Sequence, residues 1–207
     1  MLSLRRKPAY TGVPPFPFVT LLDAFTGTNG TSLPAYDAAN WGTVTNATNN
    51  LIQSNAVQGG TASGTNINRW LPTSYGNFDV TYKVTTKTAD TFDQGLWVRT
   101  TTTDVVTTGG YILDFGPTAG TDVLLVVRVD PGPVTNTLLT VNQELTAGDS
   151  VGFRVIGNSF SIYYKPAAGP WTLLGSVSDS NYPNPGGLWI YTSDTTGLMD
   201  DLSAGAI

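Results

Sequence analysis

Phe78-Asp-Val-Thr-Tyr-Lys-Val-Thr-Thr86 alternates apolar and polar side chains, with Phe78, Val80, Tyr82 and Val84 on one face and Asp79, Thr81, Lys83 and Thr85 on the other. A period of two is that of a half-buried β-strand, because successive side chains of an extended chain point to opposite sides. The same period returns in Val151-Gly-Phe-Arg-Val155 and Phe160-Ser-Ile-Tyr-Tyr164, which flank Gly157-Asn158. Gly and Asn tolerate the positive φ of a tight turn, so this pair predicts a β-hairpin. Further strands are expected over 51–56, 95–100, 111–115, 122–129, 137–143, 171–176 and 187–193, punctuated by turn formers such as Gly109-Gly110 and Asp130-Pro-Gly-Pro133. No helical period is found after residue 16. Many short strands at this spacing specify an all-β, antiparallel sandwich. Residues 18–25 open the body and 198–205 close it; pairing of these terminal strands makes 19–207 a single domain.

The side chains that are missing exclude whole classes of function. There is no cysteine and no histidine, so disulfides, thiol nucleophiles, Cys/His zinc sites and His-based catalytic triads are ruled out. Glutamate occurs once, at Glu144. A net charge of −5, with only 12% charged residues, does not supply the clustered Lys and Arg of a nucleic-acid groove. No apolar run approaches the ~18 residues of a membrane-spanning helix, so neither nucleic acid nor membrane insertion is expected.

Residues 1–18 differ from the rest. They hold Arg5, Arg6 and Lys7, no acid, and three prolines within 14–17. Proline at this density favours an extended, polyproline-like path. A basic arm thus precedes an acidic body, without the continuous apolar stretch of a secretory signal. The expectation is an assembly arm in which Arg5, Arg6, Lys7, Phe16 and Phe18 dock on neighbouring subunits, copies of the same chain included.

Asp23-Ala-Phe-Thr-Gly-Thr-Asn-Gly-Thr-Ser-Leu33, followed by Asn40-Trp41, resembles the opening of many concanavalin A-like (laminin-G-like) jelly-roll domains. Gly95-Leu-Trp-Val-Arg99, Gly110-Tyr-Ile-Leu-Asp-Phe115, Gly148-Asp-Ser-Val-Gly-Phe-Arg-Val155, Gly187-Leu-Trp-Ile190 and Asp200-Asp-Leu-Ser-Ala-Gly205 follow in that family's order. The likeness spans about 180 residues. It implies two curved antiparallel sheets, the concave one often binding sugar. Such domains also occur in bacteriophage tail and capsid-surface proteins, usually without catalysis. The implied function is a non-catalytic virion component, a minor tail or capsid-surface protein, that contacts other virion proteins and host-surface polysaccharide. It would be made in the host cytoplasm without a signal peptide. A free-standing carbohydrate-binding module with no virion role is the alternative.

Glycosidases of this superfamily use paired carboxylates on one strand, and retaining chemistry needs two about 5–5.5 Å apart. No Glu-x-Asp-x-Glu or Asp-x-Asp pattern is present. The resemblance also implies a structural Ca²⁺ near the paired terminal strands, where Asp23, Asp200 and Asp201 are the available acids; the alternative is that they cap strand ends. No other cofactor is expected. For ligand binding, strand alternation places Trp97, Arg99, Asp114, Trp189 and Tyr191 on one outer face, where rings stack on sugars and polar groups bind hydroxyls. The competing arrangement has loops cover these rings as a second core layer.

Overall fold

The computed structural model of the chain describes residues 12–62, 64–87, 94–116, 121–193 and 195–207. Its strands begin with β1 (Thr20–Asp23), β2 (Trp41–Thr43), β3 (Asn50–Ile52), β4 (Val57–Gly59) and β5 (Asn66–Tyr75). They continue with β6 (Phe78–Thr86), β7 (Gln94–Thr100), β8 (Gly110–Gly116), β9 (Val123–Asp130) and β10 (Val134–Asn142). The last are β11 (Ser150–Ile156), β12 (Ser159–Lys165), β13 (Thr172–Ser178), β14 (Gly186–Thr192) and β15 (Leu198–Ala206). One helical turn, α1 (Leu33–Tyr36), lies between β1 and β2. No helix among the described residues is long and apolar enough to cross a membrane.

Two antiparallel sheets stack as a sandwich. The β6 sheet runs β13-β12-β11-β6-β15-β4-β3, with β1 also paired to β15; the β7 sheet runs β10-β9-β8-β7-β14-β5-β2. The alternating apolar rows face each other: Phe78, Val80, Tyr82 and Val84 of β6 share one buried cluster with Leu96 and Val98 of β7 and Leu113 and Phe115 of β8. Each fully buried aliphatic or phenyl side chain contributes roughly 1.5–3 kcal/mol. This layer therefore holds the sheets together and fixes which residues face outward.

Most expected strands are found within a residue or two, including β6 and the β11–β12 hairpin, whose Gly157 has φ +54°. The terminal strands pair as expected, Thr20 opposite Ala204 and Leu21 opposite Ser203. The strand expected over 51–56 is instead a hairpin, β3–β4, closed by mutual backbone hydrogen bonds between Gln53 and Ala56. Its two central residues, Ser54 and Asn55, have φ +54° and +56°. A two-residue turn of this hand needs positive φ twice, which Gly usually signals and Ser does not. The ten-residue β5 is not among the expected strands, and it contains Pro72. The pairing with β14 slips between Trp70 and Tyr75, and Pro72 sits in that slip.

The chain covers the outer face of the β6 sheet with its own N-terminal segment. Phe16 stacks on Tyr163 of β12 (3.7 Å, 8°) and meets Trp171 edge-on at 5.1 Å. Gly152 of β11 makes room for it: a Cβ there would stand 2.4 Å from Phe16 Cζ. The Arg154 guanidinium lies 5.3 Å from the Phe16 ring centre and grips fully buried Asp79 through two hydrogen bonds of 2.7 and 2.6 Å. Phe18 N–H donates to the same carboxylate at 2.7 Å, while its ring stays 53% exposed. Of the expected assembly arm, then, Phe16 is packed within its own chain; Arg5, Arg6 and Lys7 lie outside the described residues.

Candidate functional site

Strand register maps the outer face of the β7 sheet residue by residue. One row runs Val127, Ile112, Trp97, Trp189 and Arg69 across β9, β8, β7, β14 and β5. The next row runs Leu125, Asp114, Gly95, Tyr191 and Ile67. Gly95 leaves a gap between Asp114 and Tyr191, which sit two strand spacings, about 10 Å, apart. A Cβ at Gly95 would stand 2.5 Å from the Leu113 carbonyl oxygen and 3.3 Å from Ile112 Cγ2, so nothing larger fits.

A cavity of about 530 Å³ opens over this floor. That falls within the roughly 300–1,000 Å³ of small-ligand sites. Trp97, Ile112, Leu125 and Val127 supply an apolar base, and Asp114 is the one carboxylate in the lining among the described residues. Thr135 and Thr137 of β10 form one wall; Asn46, Val105 and Val106 form the other. The second wall is built by two loops zipped together. Thr45 N–H donates to Thr103 O (2.9 Å), Val105 N–H to Thr45 O (3.2 Å), and Asn46 Nδ2 to both oxygens of Asp104 (3.0 Å each). The Asn46 amide, with the Val106 N–H, holds the Asp104 carboxyl below the usual carboxylate range.

The five residues expected on this face do not share one fate. Trp97 and Trp189 stack at 5.5 Å and are 5% and 1% exposed, packed with Val44, Ile67 and Val129. They form the covered second core layer rather than free platforms. Trp97 still borders the cavity, and its indole Nε1 is buried without a hydrogen-bond partner among the described residues. Asp114 and Tyr191 are partly exposed and line the cavity together. Arg99 is a correction: it does not lie on this face. Leu188 pairs with Val98 but Gly187 pairs with Thr100, so Arg99 is the extra residue of a β-bulge, with φ +54°. The bulge reverses its direction. Its guanidinium lies 5.6 Å from the Phe160 ring centre and donates to the carbonyls of Tyr182 and Gly76, and burial lowers its pKa.

The three acids proposed for calcium are not gathered either; no group of metal-binding side chains is found among the described residues. Asp23 spends both oxygens on its own chain, accepting from Phe25 N–H (2.7 Å), Tyr36 O–H (3.1 Å) and Trp41 Nε1–H (2.7 Å). This clamp, between the β1 acid and the Trp that follows the Gly/Thr/Asn loop, explains the spacing seen in the sequence. Asp201 is turned to φ +51° in a β15 bulge and lies 3.7 Å from Lys83 Nζ. Asp200 accepts from Asp201 N–H, and burial raises its pKa. Glu144, the one glutamate, joins buried Asp122 in binding Lys87 Nζ, at 2.7 and 2.6 Å. That pair braces the turn into Leu145, whose N–H donates to Asp122 at 2.9 Å.

Sequence reasoning missed Thr135 and Thr137 as parts of the cavity, and Gly95 as the residue between Asp114 and Tyr191. A glycine opposite an aspartate becomes visible only when β7 and β8 are in register, and the β10 threonines reach the site only through the β9 pairing.

In sequence, the chain matches no family model and no curated protein. In structure, it is similar to the carbohydrate-binding module CBM66 from Bacillus subtilis, with a TM-score of 0.58 and 13% identity over 90% of this chain and 94% of that one. A legume lectin-like domain from Entamoeba histolytica gives 0.60 and 12%, covering 91% and 99%. A β-1,3-1,4-glucanase (lichenase) derived from a mouse hindgut metagenome gives 0.55 and 11%, covering 84% and 95%. Lectin-like, module and glucanase neighbours share one architecture, and this chain has it: a concanavalin A-like jelly-roll sandwich.

Proposed function

We propose that the chain is a non-catalytic, lectin-like domain that binds glycan on the outer face of its β7 sheet. The observation that carries the reading is the cavity in which an apolar floor meets both Asp114 and the Tyr191 side chain, two strands apart. A sugar ring has an apolar C–H face and a rim of hydroxyls, and it needs this combination of stacking surface and directed acceptor. Support for the absence of catalysis is chemical. Glycoside hydrolysis takes two carboxylates across the scissile bond, and among the described residues the cavity lining holds one. The fold, shared with carbohydrate-binding modules and lectins, agrees with the reading. Asp114→Asn and Tyr191→Ala are each expected to weaken retention on a responsive glycan, found by array, about tenfold or more, as loss of a charge-assisted contact or a stacked ring implies. Melting midpoints should stay within about 4 °C. Wild-type affinity in both variants overturns the reading.

The proposal extends to a virion setting, supported by the basic, proline-rich residues 1–18 ahead of an acidic body. Because Phe16 and the Phe18 N–H serve their own sheet, the informative truncation ends at residue 11. It should leave thermal stability unchanged and abolish incorporation into particles; normal incorporation removes the virion role.

A further inference from the structure

A second cleft, of about 230 Å³, lies on the same sheet face beyond the Trp97–Trp189 pair. Two irregularities open it. On one side of β14 the Arg99 bulge displaces Thr100; on the other, β5 slips out of register between Trp70 and Tyr75. Between them Gly187 lies in the floor. A Cβ on Gly187 would stand 2.4 Å from Thr100 Oγ1 and 3.3 Å from Trp189 Nε1, so the missing side chain is what keeps the floor low.

The chemistry of this cleft differs from that of the large cavity. Its lining is mostly hydroxyls, from Thr73, Ser74 and Thr100 to Thr103, with the Arg69 side chain and, among the described residues, no carboxylate. Asp104, next in sequence, has both oxygens engaged by Asn46. Ion pairs among the described residues use Lys83, Lys87, Arg128 and Arg154, not Arg69. Arg69 Nε donates to Thr43 O at 3.1 Å, which orients the guanidinium over Gly42 and leaves its terminal nitrogens for another acceptor. Thr100 Oγ1 is buried without a partner among the described residues. An oriented guanidinium beside hydroxyl donors, in a niche without competing carboxylates, is a receptor for an oxyanion.

We infer that this cleft is an anionic subsite, taking a carboxylate or sulfate-ester group of a polysaccharide whose neutral ring occupies the cavity lined by Asp114 and Tyr191. The inference rests on the glycan-binding reading above. Arg69 stands three strand spacings across the sheet and two residues along it from Asp114, about 16 Å, so a saccharide chain long enough to span the loops over the Trp97–Trp189 pair reaches both sites.

The test uses the full chain and two matched pairs of probes: polygalacturonate against its fully methyl-esterified form, and dextran sulfate against dextran. The first pair reports a carboxylate and the second a sulfate ester. Wild type should bind at least one anionic probe more tightly than its neutral partner, and Arg69→Gln should weaken that binding about 10- to 100-fold, as loss of a hydrogen-bonded charge implies. Binding of neutral glycan should be unchanged in Arg69→Gln and weakened in Tyr191→Ala. If Arg69→Gln fails to fold, phenylglyoxal labelling of wild type replaces it, with the anionic probe protecting Arg69 and not Arg5 or Arg6. Equal binding of charged and neutral probes, or anion binding that survives Arg69→Gln or leaves Arg69 unprotected, overturns the subsite. Anion binding lost in Arg69→Gln but indifferent to Asp114→Asn and Tyr191→Ala keeps the subsite and removes the glycan cavity. Binding of none of the four probes overturns the subsite.

Discussion

The two sheets carry their apolar surplus outward in different ways. On the β6 sheet the chain covers its own outer face: Phe16 lies in the slot above Gly152, and Arg154 and the Phe18 N–H satisfy the buried Asp79 carboxylate. On the β7 sheet two zipped loops cover the Trp97–Trp189 pair but stop short of Asp114 and Tyr191. Strand alternation is the same in both. What differs is the covering segment, and a partly covered face becomes a cavity with a polar rim. The gap left by Gly152 is filled by an intramolecular ring, whereas Gly95 puts no side chain in the row between a carboxylate and a phenol that line the cavity. The same sequence device, a glycine on an outward-facing strand position, seats a ring on one sheet and separates two cavity-lining residues on the other.

The sharpest way to break this comparison is to disturb the closed face. Arg154→Ala leaves the Asp79 charge buried with only the Phe18 N–H beside it, and should cost about 3 kcal/mol in urea unfolding, because an unpaired buried ion keeps its full desolvation penalty. Affinity for glycan should not change; a loss of binding would mean that the two faces are coupled. Phe16→Ala should cost about 2 kcal/mol through the lost stacking and buried area. Gly152→Ala should cost a similar amount alone but little in the Phe16→Ala background, where the ring it strikes is gone. Additive costs in that double-mutant cycle would place the effect of Gly152 elsewhere. The smallest stability effects belong to the open face, at Asp114 and Tyr191, whose substitution should register in binding instead.

Much of the scaffold is legible without coordinates, and the reason is local. Phe78, Val80, Tyr82 and Val84 sort themselves by a two-residue period, and Gly157-Asn158 places the hairpin turn whatever surrounds it. Asp23 and Trp41 are read correctly as marks of the fold's opening, although the hydrogen bond that joins them was not expected. The misses occur where a long-range pairing overrides the local pattern. Pro72 hides β5, Ser54-Asn55 hides the β3–β4 turn, and a single bulge removes Arg99 from the face that alternation assigns it. Parity arithmetic is exact only while register is unbroken, and one extra residue inverts every later assignment until the strand re-pairs.

By itself, the order of residues determined that this protein is an antiparallel sandwich, which side chains fill the space between its sheets, and that it has no histidine or cysteine chemistry. Those properties follow from the period of side-chain direction and from composition, both local. Tertiary structure alone decided which outward-facing residues are core and which form a site, because that depends on what segments distant in sequence come to cover. Phe16 over Gly152, the 45–46 and 103–105 loops over Trp97, and the cavity left at Asp114 and Tyr191 result from packing between strands dozens of residues apart, where no neighbouring residue carries the signal.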